Sequence, residues 1–323
     1  MIMTDNASHQ KTGVQIAKKA REVHTFARPA LSFPDARTAF LAFMQELDLS
    51  QDDEILLPAY IGWSSREGSG VFDPVEVIGA RFRFYRVTRE LAIDVNDVSQ
   101  KLSSGRVKLL VVIHYFGYPD RNLAKVVAQA HDQGALVLED EAHALYSDWI
   151  GGICGRFGDA AIMSIHKMLP CDSGGLLILN RLSSETLKAL ANSSLRAPLQ
   201  CNPLDYDLAA ISVKRRNNAL HLIQLLKPLR GKANLLYRSL PKGVIPQSLP
   251  ILISDESRDD LYFKLNEGGF GVVSLYHTLI DSIPESEFPD SHWLSRHILN
   301  LPVHQDAHLV KFRELVAQLA CLL

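Results

Sequence analysis

The chain has 323 residues, of which 47% are apolar and 22% are charged, and its formal net charge is −2. This length suffices for a large domain with a smaller one beside it, and the near-neutral charge argues against a nucleic-acid-binding protein. No apolar run reaches the ~18 residues that a membrane-spanning helix needs, and the start, MIMTDNASHQKTG, has no signal-peptide core. We therefore expect a cytoplasmic protein with no membrane partner.

The four cysteines are widely scattered and contain no C-x-x-C pair, so they indicate neither a zinc knuckle nor a redox motif. They are Cys154, Cys171, Cys201 and Cys321. This usage is typical of a reducing compartment. Cys171 follows Lys167 by four residues. We weigh a catalytic thiol at Cys171 against an incidental residue, and we favour the incidental residue.

The first half of the chain alternates predicted helices and strands. GVQIAKKAREV predicts a basic helix, and SFPDARTAFLAFMQELDL predicts a helix with Asp35 as its N-cap. DEILLP predicts a buried strand that ends at Pro58, and VKLLVVI predicts a strand buried on both faces of a parallel sheet. His114 and Tyr115 follow that second strand, at the edge where open α/β sheets bind their ligands.

Two further strands each deliver polar side chains at their ends. The strand Ala135–Glu139 is followed by Asp140, and the strand Ala160–Ile165 is followed by His166 and Lys167. An acid and a lysine at neighbouring strand ends suit the cofactor pyridoxal 5′-phosphate (PLP). The lysine amine forms a Schiff base with the PLP aldehyde, and the carboxylate keeps the pyridine nitrogen protonated.

The segment GALVLEDEAHAL, with the following FGDAAIMSIHKMLPCDSGGLLILN, resembles the DegT/DnrJ class of PLP-dependent sugar aminotransferases. That class typically reads ED-x-A-[HQ]-[AS]-L-G, then GD-x-A-x-x-S, the Schiff-base lysine and a GG strand. The interval from Asp159 to Lys167 is about two residues shorter than the commonest version, and the resulting S-x-H-K also resembles the class V PLP enzymes.

The resemblance implies an α/β type I PLP-dependent transferase fold. A large domain over residues 1–230 would carry a mainly parallel mixed sheet flanked by helices. Residues 231–323 would form a small C-terminal α+β domain, in which PILIS and FGVVSLYH predict strands and the last residues predict an amphipathic helix. Before the boundary, SVKRRNNALHLIQLL predicts a helix over Ser212–Leu226.

The resemblance also assigns roles to individual residues. Lys167 would form the Schiff base, Asp140 would face the pyridine nitrogen, and His143 would face the cofactor ring. Four further residues would contact the cofactor: Ala36 and Arg37 at a phosphate-binding helix start, Trp63 by stacking, and Ser164 near the phosphate. Substrate contacts would come from His114 and Tyr115 as pocket wall and from Tyr276, His277 and His304.

The residue types alone also allow a purely structural role at these positions. Ala36 and Arg37 also suit an ordinary capped core helix, His114 also suits a core histidine, and Asp140 also suits a surface loop in an acidic run. A metal site built from Asp140, Glu141 and His143 lacks further ligands at helical spacing, so we predict no metal.

The implied reaction is transamination from an amino acid such as glutamate to a keto-sugar, with a nucleotide-linked sugar as one candidate. The resemblance implies a homodimer with the site at the subunit interface. Two rival functions stay open. One is class V chemistry of the desulfurase or lyase type, and the other is a degenerate, non-catalytic member of the fold.

Overall fold

The structure, a computed structural model, describes residues 28–255 and 257–323. The basic helix that GVQIAKKAREV predicts lies outside these described residues. Within the described ranges, every helix is too short or too polar to cross a bilayer.

The larger sheet has seven strands in the order β1-β7-β6-β5-β4-β2-β3. In chain order they are β1 (Ala30–Phe33), β2 (Glu54–Pro58), β3 (Arg81–Tyr85), β4 (Val107–Ile113), β5 (Leu136–Asp140), β6 (Ala160–Ser164) and β7 (Gly175–Leu179). The five strands from β3 to β6 run parallel, whereas β7 and β1 add to the edge in antiparallel pairs. The predicted mixed, mainly parallel sheet is therefore confirmed.

Helices flank this sheet, and most connect one parallel strand to the next. The seven helices of the first 230 residues that the structure describes are α1 (Ala36–Gln45), α2 (Phe72–Ile78), α3 (Val95–Leu102), α4 (Leu123–Asp132), α5 (Leu145–Trp149), α6 (Ser184–Ala191) and α7 (Leu208–Leu225). Helix α1 begins where predicted, because Asp35 accepts a 2.7 Å hydrogen bond from the Thr38 N–H as its N-cap. Its apolar residues Phe40 and Phe43 are fully buried.

Helix α7 begins four residues before the predicted start at Ser212. Asp207 accepts a hydrogen bond of 2.9 Å from the Ala210 N–H, and this cap satisfies a donor that the first turn leaves free. The cap residue, rather than the first apolar residue of the predicted run, therefore sets the start of α7.

The C-terminal region carries a second, antiparallel sheet in the order β10-β9-β8. Its elements are β8 (Ala233–Leu235), β9 (Ser248–Ile253), α8 (Arg258–Glu267), α9 (Pro289–His297), β10 (Ile298–Pro302) and α10 (Leu309–Leu322). The strand predicted in FGVVSLYH is wrong. Val273 forms only an isolated bridge with Asn300, and Tyr276 has a φ of +58°, which extended backbone does not allow.

The start of β7 lies directly against the start of α1, and glycine is required there. A Cβ on Gly175 would lie 2.2 Å from the carbonyl carbon of Asp35 and 2.5 Å from the backbone nitrogen of Ala36. Because Gly175 also pairs with Ser164 of β6, this close approach brings the first turn of α1 next to the C-terminal end of β6.

We predict that Gly175→Ala lowers the free energy of unfolding by about 1–3 kcal/mol, the usual cost of forcing extra atoms into packed structure. Urea denaturation followed by circular dichroism measures this change. Gly70→Ala is the matched control, because a Cβ there meets no atom within 4 Å. Equal stability of the two variants would contradict the close approach of β7 to α1.

Candidate active site

A cavity of about 550 Å³ opens at the C-terminal ends of β2, β5 and β6. Most of the predicted site residues line it: Ala36, Arg37, Trp63, Asp140, His143, Ser164, Lys167 and His277. The volume falls within the range of small-molecule sites, about 300–1,000 Å³. Strand order explains the convergence, because parallel neighbours end at the same edge of a sheet.

Asp140, the last residue of β5, places a buried carboxylate at this cavity. Only 4% of the residue is exposed, and one carboxylate oxygen accepts a 2.8 Å hydrogen bond from the Ala142 N–H. Burial raises the pKa of Asp140 above its ordinary value, although the Ala142 bond and the positive charge of Lys167 act in the opposite direction. The carboxylate is therefore placed to accept a cationic partner.

Lys167 lies three residues beyond the end of β6 and is exposed to the cavity. Its neighbour His166 lies 3.3 Å from the hydroxyl of Ser164, measured from Nδ1 to Oγ. Burial lowers the pKa of His166, and the charge of Lys167 lowers it further. The turn after β6 thus presents a hydroxyl, a mainly neutral imidazole and an amine on one side of the cavity.

His143 and Tyr276 form an aromatic wall. His143 is stacked on Phe116 with 6.1 Å between ring centroids, and the ring of Tyr276 meets it edge-on at 6.1 Å. His143 Nδ1 accepts a 3.3 Å hydrogen bond from the Phe116 N–H. Burial holds the pKa of His143 well below its usual value, and the charge of Lys167 adds to this effect. The imidazole is therefore neutral.

The first turn of α1 contributes backbone N–H groups and a guanidinium. Asp35 caps the Thr38 N–H, which leaves the N–H groups of Ala36 and Arg37 at the helix start. Arg37 lies 3.4 Å from Asp73 and also donates to the Glu67 carbonyl. A helix start of this kind attracts anions.

Trp63 lines the cavity with 46% of its surface exposed, and its backbone N–H donates to the Thr278 carbonyl at 2.9 Å. The preceding Gly62 lies against Tyr276, because a Cβ on Gly62 would be 2.9 Å from the tyrosine ring. The turn around Tyr276 is therefore held against the loop after β2. Tyr276 has the left-handed φ of +58°, which is uncommon for a non-glycine residue.

Three residues that we predicted as substrate contacts are not among the residues that line the cavity. His114 is fully buried, with Nε2 2.8 Å from Glu139 Oε2. Tyr115 is buried and donates its hydroxyl to the Tyr60 carbonyl at 2.6 Å. His304 is half-exposed beside Asp306. The structure thus places His114 and Tyr115 in the core behind the cavity.

The sequence-based prediction missed the loop between β2 and α2 as a cavity wall. Residues 64 and 66–71 line the cavity, together with Ser173 and Ser274. Ser69 and Asp73 organise the loop, because the Ser69 N–H donates to both Asp73 oxygens at 3.0 and 3.1 Å. The run SSREGSG is a turn signal that could have indicated a ligand-binding loop.

Cys171 is not an incidental residue. It forms a disulfide with Cys201, with 6.2 Å between the Cα atoms, so the segment after Lys167 is cross-linked to residue 201. The two free cysteines of the described residues are Cys154, which is buried, and Cys321, which is exposed.

The fold is that of a PLP-dependent transferase of fold type I. Solved structures share this fold. The PseC aminotransferase of Helicobacter pylori, involved in pseudoaminic acid biosynthesis, matches with a TM-score of 0.75 and 18% identity over 91% of this chain and 86% of its own. A DegT DnrJ EryC1 StrS aminotransferase from Brucella abortus matches with a TM-score of 0.72 and 17% identity over 90% and 85%.

Another match, NtdA from Bacillus subtilis, was solved with the bound cofactor PMP and has a TM-score of 0.72 and 17% identity over 90% of this chain and 73% of that one. The sequence profile of the DegT/DnrJ/EryC1/StrS aminotransferase family matches residues 5–200. The chain belongs to this family of PLP-dependent aminotransferases.

The residues that line the cavity fit PLP. The cofactor needs an anion site for its phosphate, an amine for its aldehyde and an acid for its pyridine nitrogen. The first turn of α1, Lys167 and the buried Asp140 supply these three groups around one cavity.

We predict that Asp140→Asn stabilises the cofactor-free protein at neutral pH. Because burial raises the pKa of Asp140, its ionisation costs folding free energy above that raised pKa. The advantage of the variant should shrink as the pH falls and the wild-type carboxyl becomes protonated.

Denaturation midpoints measured across the acidic range test this. Asp132→Asn is the control, because that carboxylate lies exposed at the end of α4 and the substitution should leave the midpoint nearly unchanged. An Asp140→Asn variant that is less stable than wild type at neutral pH would contradict the burial argument.

Proposed function

We propose that this protein transfers an amino group from an amino acid such as glutamate to a keto-sugar, with Lys167 as the amine that bonds to PLP. The observation that carries the proposal is the convergence of Asp140 and Lys167, from adjacent parallel strands, on one cavity. The relative involved in pseudoaminic acid biosynthesis supports a sugar as the acceptor. When bound, PLP supplies an electron sink for the carbanion formed at the substrate carbon.

Residues of the chain would then bind the cofactor and move protons. Asp140 would hold a proton on the pyridine nitrogen, and its burial would strengthen that charged hydrogen bond. Lys167 Nζ would take the proton from Cα of the amino donor and would later give one to the acceptor. His143 is neutral and fixed by its bond from the Phe116 N–H, and it would pack against the cofactor ring, while the N–H groups of Ala36 and Arg37 would bind the phosphate.

The rival class V chemistry would need a mobile thiol that faces the substrate. Neither Cys171 nor Cys154 is among the residues that line the cavity, and Cys154 is fully buried, so neither thiol meets that need. The degenerate, non-catalytic alternative is disfavoured because Lys167 and Asp140 are both present at the cavity.

Further proposals follow from the family. We propose a homodimer with the site at the subunit interface, which multi-angle light scattering tests directly. We also propose a cytoplasmic location and a division between a large domain over residues 1–230 and a small one over 231–323. In a reducing cytoplasm the Cys171–Cys201 pair would be a dithiol.

We predict that purified wild-type protein mixed with PLP shows an absorbance band that Lys167→Ala abolishes. Borohydride should fix the cofactor covalently to the peptide containing Lys167, which mass spectrometry detects. Turnover of Lys167→Ala should fall by at least about 10³-fold, because the variant lacks both the bonding amine and the general base.

Lys188→Ala is the matched control, since Lys188 lies on the exposed face of α6 and its loss should change neither spectrum nor rate. A wild-type spectrum identical to that of free PLP would contradict the proposed enzymatic function and favour the non-catalytic alternative. Sulfide release from cysteine by the wild type would favour the class V alternative.

A further inference from the structure

Behind the strand end that carries Asp140, three polar side chains meet inside the protein. His114, Glu141 and Cys154 are each 0% exposed, and one ligand atom of each lies within 4.8 Å of the other two. Three elements supply them: the residue after β4, the residue after β5 and the loop before β6. None of the three lines the cavity described above, so this is a separate group.

His114 presents an unused nitrogen to this group. Its Nε2 lies 2.8 Å from Glu139, and Glu139 also accepts backbone N–H bonds from residues 155, 157 and 158 at 2.7–2.8 Å. A carboxylate with that many donors is ionised, so the imidazole proton lies on Nε2. Nδ1 then carries a lone pair that is buried and has no hydrogen-bond partner among the described residues.

Both carboxylate oxygens of Glu141 are buried. The Cys154 thiol, itself a member of this group, bonds to that carboxyl. The nearby carboxylates are already compensated, since Asp148 pairs with Arg28 and Arg156. An unpaired buried charge is strongly unfavourable. The carboxyl therefore needs a proton or a cation.

We propose that His114, Glu141 and Cys154 form a three-ligand site for a divalent cation of the zinc class. An imidazole nitrogen, a thiolate and a carboxylate oxygen are the donors that zinc takes in proteins. The bond from His114 to Glu139 is the orienting contact that metal-bound histidines make. Zinc at 2.0–2.3 Å from its ligands sets them about 3.3–3.7 Å apart, so the three side chains need to close by about 1 Å.

The cation would tie together the strands that carry the active-site residues. The backbone N–H of His114 donates to the Asp140 carbonyl at 3.0 Å, and the backbone N–H of Glu141 donates to the Ile162 carbonyl at 2.8 Å. A metal bound at these side chains would therefore fix the ends of β4 and β5 and the loop before β6 in one register. The inference does not depend on the proposed transamination.

Metal analysis of the full-length protein tests the proposal. Protein expressed with zinc and passed through a chelating column should retain one zinc ion per chain, released on denaturation. Because the ligands are fully buried, the ion should exchange only on unfolding. Protein refolded with Co²⁺ should show a near-ultraviolet thiolate-to-cobalt charge-transfer band, absent in Cys154→Ser and retained in Cys321→Ser, the control at the exposed free cysteine.

The Glu141→Gln variant shows whether Glu141 binds a cation or only a proton. If zinc is bound, loss of a ligand should weaken zinc binding at least 10–100-fold, the range seen even for outer contacts, and lower the denaturation midpoint. If only a proton is held, the isosteric amide should leave the midpoint unchanged or raise it, and this result would overturn the proposal. Lys167→Ala should keep its full metal content. The metal analysis can therefore be interpreted even if the test of PLP binding fails.

Discussion

The buried carboxylate of Glu139 is the contact on which the strand ends depend. It accepts hydrogen bonds from three backbone N–H groups of residues 155–158 and is bonded to His114. Burial alone would raise the pKa of Glu139, yet the bonds from His114 and from the backbone hold it below the usual value. An ionised carboxylate at 0% exposure therefore fixes β4, β5 and the loop before β6 together.

The alternation of side chains along β5 places one carboxylate in the cavity and the other two behind it. Neighbouring residues of a strand point to opposite faces, so Asp140 reaches the cavity while Glu139, and Glu141 just beyond the strand, point behind it. The acidic run EDE thus serves two environments. Asp140 can pair with a cationic group in the cavity. Glu139 and Glu141 belong to the network that positions Asp140.

The features that follow from local pattern were predictable from the sequence. Strands β2 and β4 are buried along almost their whole length. Their sequences are therefore continuous apolar runs, and these runs predicted both strands. The meeting of Asp140 and Lys167 followed from strand ends in a parallel sheet. The capping role of Asp35 followed from the residue type alone.

What the sequence did not predict depends on contacts between distant residues. The Cys171–Cys201 bond joins residues 30 positions apart, and the chain offers no spacing rule for it. The same holds for Glu141, whose neighbours His114 and Cys154 come from other elements. Tyr276 is not extended, and its ring packs against the aromatic rings of Tyr60 and Tyr115 at 5.2 and 5.4 Å between centroids, a packing that no local sequence pattern predicts.

The two faces of the strand end also constrain each other electrically. Lys167 lowers the pKa of Asp140 from the cavity side, while the buried carboxyl of Glu141 follows Asp140 on the hidden side of the strand end. If Glu141 were ionised and uncompensated, its charge would oppose ionisation of the neighbouring Asp140, which needs its own charge to hold a pyridinium. A cation behind the strand would remove this conflict without occupying the cavity. A proton or a cation on Glu141 would therefore favour the ionised Asp140 that the proposed chemistry needs.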